Sequence, residues 1–467
     1  MLLHVLCVVP FASFAIKSLL FRKDAMSRFQ LSLACLLFIF LPGCMSLRAQ
    51  TTATTPRATS SPAEKRGGVQ AYTLPPEKYE QAIVFSRTRW ALHFIGVAYS
   101  LVLLLALLAL KVAPLFRNWA EAVSRRRFVQ ALVFVPLLLL TFDLLHLPLD
   151  IYRQHLQLRY NQSIESWGGW FWDWTKSELI GLVTGTLLVW LMYAVIRRKA
   201  RGWWFYFWLA SLPILIFIFF ITPVVIDPLF FKFEPLEARQ PQLVSEIERL
   251  VKRGGLSISR ERMFEMNASE KYTTLNAYVT GFGATKRVVM WDTTLKQMTM
   301  PQTLFVFGHE MGHYVLEHIF KAIAILSLML LVLLFILARV VGWAISRWGT
   351  RWRIRGLDDW ASLPVLMLFF LLFAFLGEPV GNTFSRYQEH EADVYALEVT
   401  HGIVPDSARA GAEAFQILGE KALSHPNPPA FIKVWLYSHP PVAERLKFAR
   451  DYDPWSKGEQ TQYVSRQ

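Results

Sequence analysis

The sequence contains 467 residues, of which 54% are hydrophobic and only 18% are charged, below the roughly 25% charged residues of typical soluble domains. The apolar residues form long blocks without amphipathic spacing, which excludes a disordered or fibrous protein and predicts a polytopic membrane protein. The formal net charge of +14 arises from 49 basic and 35 acidic residues. Because the basic residues cluster in short loops between apolar blocks, we interpret the charge as a membrane-orientation signal and expect no nucleic-acid partner.

The N-terminal segment has the pattern of an export signal. A basic start after Met26 is followed by an apolar run over 31–42 and then by small residues. This pattern predicts that residues 1–49 are a signal peptide, with 1–25 as an upstream extension, and an uncleaved first membrane anchor is the alternative. Residues 50–71 are rich in Thr, Ser, Ala and Pro, as in a flexible linker. All three cysteines precede residue 45, which excludes a disulfide framework or thiolate metal site in the rest of the chain.

Six later apolar blocks are long enough to cross a bilayer, which requires about 20 residues per helix. They occupy residues 90–110, 128–147, 179–196, 203–226, 322–341 and 361–375, the last of which can extend toward Val380. With the N-terminal segment as an additional anchor, the count is six or seven spans. The sequence therefore predicts a mainly α-helical, polytopic membrane bundle.

The charges of the connecting loops predict the orientation of these spans. Three loops are strongly basic: the first, third and fifth, at 111–127, 197–201 and 347–355. The second loop, 148–178, carries four acidic and three basic residues. Because basic loops stay in the cytoplasm, the segment 227–321 and the C-terminus are expected outside it. We therefore expect an integral protein of a bacterial inner membrane with its functional segment on the periplasmic side.

The clearest chemical signal is the pattern His-Glu-Met-Gly-His at residues 309–313. In a helix, the four-residue spacing places both imidazoles on one face, with about 5–6 Å between their Cβ atoms. Two neutral imidazoles, His309 and His313, suit Zn²⁺, and Glu310 between them can polarise a bound water. A structural histidine pair is the alternative. The uncharged neighbours favour a buried metal-bearing helix.

A catalytic zinc site needs a third protein ligand and one open position. Glu389 is the candidate, because two spans separate it from the histidine pair and the chain therefore returns to the same side of the membrane. Asp393 lies one helical turn further on, where it can accept the N–H of a ligating histidine. Glu378 is a rival ligand without a partner at turn spacing. We interpret His390 and Glu391 as structural.

Two further segments are candidates to complete the site. Asn276, Ala277 and Tyr278 precede an alternating stretch, Arg287–Trp291, which predicts a strand. The edge of such a strand can bind an extended peptide through its backbone, and a plain hairpin is the alternative.

Near the C-terminus, a Ser-His-Pro-Pro motif contains His439, and Arg445 follows it closely. Either side chain can stabilise the oxyanion of a tetrahedral intermediate. An ordinary loop role is the alternative for both residues.

With these residues collected, the chain resembles the type 1 CAAX prenyl protease family, which are membrane zinc endopeptidases of the gluzincin clan. The resemblance covers most of residues 72–450. Its pieces are Asp227-Pro-Leu-Phe230, Lys232-Phe-Glu-Pro-Leu236, Asn276-Ala-Tyr278, Lys286-Arg-Val-Val289, Asp292-Thr293, the 309–313 motif, Ser385-Arg386, Glu389, Ala392-Asp393, Ser438-His-Pro440 and Glu444-Arg-Leu446.

The resemblance implies a fold and a role for each candidate residue. The fold is a ring of membrane helices that encloses a chamber, with a zincin-type protease domain carrying a small β-hairpin or sheet. The implied roles are one Zn²⁺ per chain bound by His309, His313 and Glu389, Glu310 as the catalytic base, Asp393 as the partner of a ligand, and His439 with Arg445 as transition-state or substrate-positioning groups.

The implied domain organisation follows the chain order. Residues 72–231 form an N-terminal membrane domain, and 232–450 form a zinc metallopeptidase domain with an embedded transmembrane hairpin at 322–380. The tail, 451–467, is polar. We predict that it is disordered and assign it no role.

The resemblance and the loop charges together suggest the substrates. Eukaryotic relatives trim prenylated C-termini on the cytosolic side, whereas here the loop charges put the zinc helix outside the cytoplasm. We therefore expect membrane-associated or exported polypeptides as substrates of a membrane-integral zinc endopeptidase in contact with the lipid bilayer. The alternatives are a stress-type quality-control protease of the same clan and a non-catalytic zinc-binding scaffold. The sequence does not predict the oligomeric state.

Overall fold

The structure is a computed structural model that describes residues 69, 71–281 and 286–464. The predicted signal or anchor, the cysteines and nearly all of the linker lie outside the described residues. Thirteen α-helices occur in the described part: α1 (Pro76–Ala109), α2 (Val112–Val123), α3 (Arg127–Arg159), α4 (Trp167–Arg198), α5 (Trp203–Ile221), α6 (Pro241–Arg253), α7 (Asp292–Gln297), α8 (Met300–Val315), α9 (His318–Trp348), α10 (Leu363–Thr400), α11 (Ser407–Lys421), α12 (Ala430–Leu436) and α13 (Val442–Asp451).

The predicted membrane bundle is confirmed. Helices α1, α3, α4, α9 and α10 are each long and apolar enough to cross a bilayer, and between 17% and 56% of the most apolar window of each is buried inside the molecule. Large apolar side chains remain exposed on the outward faces, among them Val102, Leu187 and Val332. These helices therefore present apolar side chains to lipid.

The fourth apolar block, 203–226, is a bent helix. Trp203–Ile218 and Thr222–Leu229 meet at an angle of 42°. The bend coincides with a π-helical turn at Thr222–Ile226 that contains Pro223. A proline inside a helix has no N–H to donate and clashes with the preceding turn, which accounts for the break. Apolar composition alone predicted one continuous span from 203 to 226.

The three basic loops meet at one end of the bundle, which we call the basic-loop end. Arg355 of the fifth loop lies 2.8 Å from the carboxylate of Glu121, which belongs to the first loop. Arg197 of the third loop donates a 3.1 Å hydrogen bond to the carbonyl of Asp358. The second loop instead contacts the segment 227–321. There the backbone N–H of Ile164 donates a hydrogen bond to the carbonyl of Lys271. Loops of like charge pattern therefore share one end of the molecule.

A small mixed sheet lies outside the membrane helices. The described strands are β1 (Phe233–Pro235), β2 (Met263–Met266), β3 (Ala277–Thr280) and β4 (Arg287–Trp291), in the spatial order β1-β2-β4-β3. β4 pairs parallel with β2 and antiparallel with β3. The predicted strand at 287–291 is thus β4, and β3 forms one outer edge.

Close packing of α8 against α10 joins the two halves of the candidate site. A Cβ atom added at Gly312 would lie 3.0 Å from the Tyr395 ring, and one at Gly308 would lie 3.1 Å from Val399. Such separations are tighter than nine in ten real Cβ contacts, so the side chains of Tyr395 and Val399 would have to shift by a few tenths of an ångström. The two glycines, four residues apart on one helix face, therefore let α10 approach the histidine helix closely.

The structure of the C-terminal tail differs from the predicted disorder. Residues 452–464 are ordered against α10, where we predicted disorder over 451–467. The buried Glu398 carboxylate accepts hydrogen bonds from the backbone N–H groups of Gln462, Tyr463 and Val464 at 2.7, 2.7 and 3.0 Å, and from the Tyr452 hydroxyl at 2.6 Å. A buried carboxylate that collects several donors holds a polar segment in place, because its own desolvation would otherwise be uncompensated.

Candidate metal centre

Helix α8 carries the predicted histidine pair on its buried face. The Nε2 atoms of His309 and His313 lie 3.1 Å apart, and both side chains are almost fully buried. The helix begins at a turn where the Gln302 side chain accepts from the backbone N–H of Thr299 at 2.9 Å. The one-turn spacing thus produces the converging imidazoles that the sequence indicated.

Helix α10 brings a carboxylate to the same point. Oε2 of Glu389 lies 3.2 Å from Nε2 of His309, and Oε1 lies 3.6 Å from Nε2 of His313. Among the described residues, these three side chains are the group whose potential ligand atoms all fall within 4.8 Å of one another. The chain returns after two membrane helices, as the sequence requires for this ligand set.

The three side chains fit a zinc ion. Bonds of about 2.0–2.1 Å in a tetrahedron place ligand atoms about 3.3 Å apart. The two Nε2 atoms lie 3.1 Å apart, and one oxygen of Glu389 lies 3.2 Å from Nε2 of His309 while the other lies 3.6 Å from Nε2 of His313. The Nδ1 atom of His309 lies 2.8 Å from Asp393 Oδ1, so the neutral ring carries its hydrogen there and directs the Nε2 lone pair toward the centre. Both the donor types and their spacing therefore suit Zn²⁺.

A buried ion pair holds His309 in this orientation. Arg445 donates to both oxygens of Asp393, at 2.6 and 2.8 Å. Burial disfavours the charge of Arg445, but the Asp393 carboxylate outweighs it and raises the pKa of Arg445. Burial likewise acts to lower the pKa of His309, whereas hydrogen bonds to Asp393 and Glu389 raise it to about 9. A cation at Nε2 therefore displaces a proton when it binds.

His439 lies at the rim of the site. Its Nε2 is 3.0 Å from Oε1 of Glu389, and its Nδ1 is 2.9 Å from the Ser438 hydroxyl. The side chain is 29% exposed, in contrast to the buried ligand set. The structure thus brings His439 and Arg445 to the candidate ligands, although by different contacts.

The two remaining glutamates of interest occupy different places. Glu310 is buried within α8 and lies close enough to interact electrostatically with Arg445. Glu378 lies 2.9 Å from Nε2 of His93, and eleven residues of helix separate it from Glu389, or about 16 Å. The rival ligand is therefore outside the cluster.

The Asn276-Ala277-Tyr278 segment forms the start of the outer strand β3. The Thr294 hydroxyl accepts from the backbone N–H of Asn276 at 2.8 Å and donates to its carbonyl at 2.7 Å. The Tyr278 ring is buried, with its hydroxyl 3.4 Å from Asp227.

One neighbour of the ligands was missed from the sequence. Nδ1 of His318 lies 3.0 Å from Nδ1 of His313. A five-residue spacing does not share a helix face, so the pattern gave no signal. The contact arises because the chain turns at Glu317, whose φ of 57° is left-handed, before α9 begins.

Comparison with known proteins decides the family. The family model "Peptidase family M48" matches residues 237–453, and "CAAX prenyl protease N-terminal, five membrane helices" matches residues 63–232. The Bacillus subtilis protein named "Uncharacterized metalloprotease YhfN" is 36% identical over 376 residues, which cover 80% of this chain and 86% of that protein. The chain belongs to peptidase family M48.

Other relatives of this M48 chain carry a more specific name. CAAX prenyl protease 1 of Saccharomyces cerevisiae is 27% identical over 407 residues, covering 81% of this chain and 87% of the yeast protein. The crystal structure of Ste24p from S. mikatae superimposes with a TM-score of 0.70 at 24% identity, covering 81% of this chain and 90% of that one. The predicted fold class and resemblance are confirmed.

These findings establish the class of the M48 chain. It is a multi-pass integral membrane metalloendopeptidase that resembles the CAAX prenyl proteases. Family membership implies a metal, typically zinc, and a peptide substrate. The prediction of a membrane protease is therefore confirmed.

Proposed function

We propose that this protein hydrolyses peptide bonds of membrane-associated or exported polypeptides, using one Zn²⁺ bound by His309, His313 and Glu389. The observation that carries the proposal is the convergence of two Nε2 atoms and one carboxylate within 3.1–3.6 Å of one another. Only three protein ligands occur in the cluster among the described residues. A catalytic zinc site leaves one such position open, whereas a structural site uses four protein ligands.

The residues of the chain divide the chemistry between them. Bound Zn²⁺ supplies Lewis acidity for the scissile carbonyl and lowers the pKa of water. Glu310 takes the proton of the attacking water and later passes it to the leaving amine. Its carboxylate is buried on α8, next to His309 in sequence, and lies close enough to interact electrostatically with Arg445. Burial there keeps bulk water from competing for that proton.

His439 and Arg445 have different roles in this mechanism. Arg445 is held by both oxygens of Asp393. It fixes the ring of His309 through Asp393, and its Nη2 also lies 3.6 Å from Oε2 of Glu389, so it is a positioning residue. His439 is partly exposed at the rim. It is the better candidate to stabilise negative charge on the carbonyl oxygen as the tetrahedral intermediate forms.

The outer strand β3 offers a way to hold the substrate. It pairs with β4 on one side only in the described sheet. An extended peptide can add to such an edge through main-chain hydrogen bonds. In this arrangement the substrate strand adds beside Ala277 and Tyr278, because the backbone N–H and C=O of Asn276 already bond to Thr294, and sequence preference comes from pockets elsewhere.

The loops support a site outside the cytoplasm. The basic loops cluster at one end of the bundle, and the nearly balanced second loop contacts the sheet region through Ile164 and Lys271. Positive loops stay in the cytoplasm. We infer that the protein belongs to a bacterial inner membrane with its site on the periplasmic side. Prenylated cytosolic proteins would not reach such a site, in contrast to the substrates implied by the names of the eukaryotic relatives.

The catalytic proposal is tested with Glu310→Gln. The purified variant in detergent is expected to retain one zinc per chain and to lose cleavage of casein or a reporter peptide by at least about 100-fold. Glu80→Gln, at an exposed glutamate on α1, is the control and should cleave normally. Normal cleavage by a zinc-loaded Glu310→Gln variant would rule out this role. One zinc in the wild type without cleavage of any peptide would instead favour the scaffold alternative.

The orientation is tested by labelling single cysteines. Glu261→Cys lies on the exposed surface of the sheet region, and Arg198→Cys lies in the third loop. In a background without the native cysteines, an impermeant maleimide applied to intact spheroplasts should label Glu261→Cys, and Arg198→Cys only after lysis. The reverse pattern would put the site in the cytoplasm and restore cytosolic substrates.

A further inference from the structure

The two histidines of the candidate metal site are supported in different ways. Each directs Nε2 toward Glu389, which leaves its Nδ1 for a second partner. For His309 that partner is the Asp393 carboxylate, at 2.8 Å. For His313 it is Nδ1 of His318, at 3.0 Å. A carboxylate can only accept the hydrogen of a ligating histidine, whereas the imidazole of His318 can either donate or accept. The tautomers of His313 and His318 therefore have to be assigned together.

The contacts allow one consistent assignment. A neutral His313 that gives its Nε2 lone pair to a metal carries its hydrogen on Nδ1. That hydrogen can be donated only if Nδ1 of His318 is an acceptor, and neutral His318 then carries its hydrogen on Nε2. The Nε2 atom of His318 lies 3.2 Å from Oε2 of Glu391, at an angle short of a full hydrogen bond. A carboxylate at that position favours this tautomer.

Glu391 is itself held in place. Its Oε1 accepts a hydrogen bond from the Tyr463 hydroxyl at 3.1 Å, and its Oε2 lies 4.0 Å from the Lys321 ammonium. Tyr463 belongs to the tail segment that Glu398 binds through its backbone. The carboxylate thus has partners from α9 and from the tail, in addition to His318.

We propose that His318 and Glu391 are positioning residues that hold His313 in its metal-binding tautomer and orientation, as Asp393 and Arg445 do for His309. This inference rests on the proposed metal site. It revises the interpretation of Glu391 as purely structural. The C-terminal tail, through Tyr463, is the outer support of this chain of contacts.

The decisive experiment measures zinc affinity, because partners of a ligating histidine typically change metal affinity by 10–100-fold. His318→Leu removes the acceptor, whereas His318→Asn retains one, since Oδ1 of asparagine occupies about the position of Nδ1. In competition with a chelator, His318→Leu is expected to bind zinc at least about 10-fold more weakly than the wild type, and His318→Asn within about threefold. His390→Leu is the matched control, because it removes an exposed imidazole next to Glu389 on α10.

The outcomes separate this inference from the proposed function. A wild type that binds no zinc contradicts the proposed function itself. If the wild type binds zinc and His318→Leu binds it equally well, only the positioning role is contradicted. Equal weakening by His318→Leu and His318→Asn would indicate a packing effect and would also contradict it. Melting temperatures in excess chelator should agree within about 2 °C among the variants, which confirms that the metal-free proteins are folded alike.

Glu391 provides an independent test if His318→Leu fails to fold. Glu391→Ala removes the carboxylate that favours the tautomer, and it should weaken zinc binding about three- to tenfold. In the double variant with His318→Asn, whose side chain has no Nε2–H imidazole to orient, the Glu391 substitution should have no further effect. Additive losses in the double variant would show that Glu391 acts on the site without His318.

Discussion

Two buried arginine–aspartate pairs lie far apart in the molecule and serve different purposes. Arg117 and Asp359 are joined at 2.6 Å at the basic-loop end, and Arg445 and Asp393 are joined at 2.6 Å beside the metal ligands. Helix α10 begins next to Asp359 and carries Asp393 thirty residues after its first residue, or roughly 45 Å of helix. The burial and distance of the two pairs are nearly the same, so neither property reveals function.

The difference lies in the remaining contacts of each pair. Arg117 also donates to the carbonyl of Arg353, and Asp359 accepts from the backbone N–H groups of Arg355 and Ala361. All of these contacts close loops. Asp393 instead lies 2.8 Å from Nδ1 of His309, where its carboxylate can accept the hydrogen of that ring nitrogen. A buried ion pair therefore indicates a functional site only when one of its members also orients a reactive or ligating group.

The largest effect is expected from the carboxylate ligand. Glu389→Gln replaces an anionic ligand by a neutral amide, so zinc affinity and peptide cleavage should each fall at least about 100-fold. Zinc content after gel filtration and cleavage of a reporter peptide measure both. Glu378→Gln, on the same helix but paired with His93, is the matched control and should retain zinc. Stoichiometric zinc in Glu389→Gln would exclude this residue as a ligand.

The comparison of the two ion pairs is tested directly with Asp359→Asn and Asp393→Asn. Each substitution removes the nearest charge partner of a buried arginine, and breaking a buried pair typically costs about 3–5 kcal/mol. Only Asp393→Asn should also weaken zinc binding, by about 10–100-fold, because only it alters the partner of His309. Thermal unfolding in excess chelator measures the stability, and chelator competition measures the affinity. Equal loss of affinity in both variants would show that the distinction drawn from the contacts is wrong.

A smaller effect is expected from the helix contact that assembles the site. Gly312→Ala places a Cβ atom 3.0 Å from Tyr395, and such overpacking costs about 1–3 kcal/mol. Gly342→Ala on α9 meets nothing within 4 Å and should leave stability unchanged or slightly increased. Unfolding in detergent distinguishes the two. If Gly312→Ala were as stable as Gly342→Ala, the close approach of α8 and α10 would not depend on glycine.

The sequence predicted those parts of the molecule that local patterns specify. The apolar blocks predicted the membrane helices, because a bilayer requires long apolar runs. The spacing of His309 and His313 predicted converging imidazoles, because one helical turn places them on one face. Glu389 could be assigned to the same site because an even number of membrane spans, two, separates it from the histidines. In each case a single physical constraint acted on neighbouring residues or on whole segments.

The parts that could not be predicted depend on turns and distant contacts. Strands β1 and β2 have three and four residues and carry no recognisable alternation. His318 approaches His313 only because Glu317 adopts a left-handed conformation between two helices. The order of the tail depends on Glu398, whose partners are about 65 residues away in sequence. Composition suggested a disordered tail because polar sequence alone does not reveal a buried acceptor.

The smallest effect is expected from an exposed pair, which completes the comparison with the two buried ones. Lys78 at the start of α1 lies 2.5 Å from Glu420 of α11, with 42% and 29% of the side chains exposed. Glu420→Gln should cost less than about 1 kcal/mol, because solvent screens the charges and the long side chains lose conformational entropy. That small difference should vanish as the salt concentration rises from 0.05 to 1 M, where the Debye length falls to about 3 Å. The much larger loss in Asp359→Asn should persist at 1 M, because ions do not enter the buried contact. If the two losses responded to salt alike, the Arg117–Asp359 pair would be accessible to solvent, and its buried position could not explain its contribution to stability.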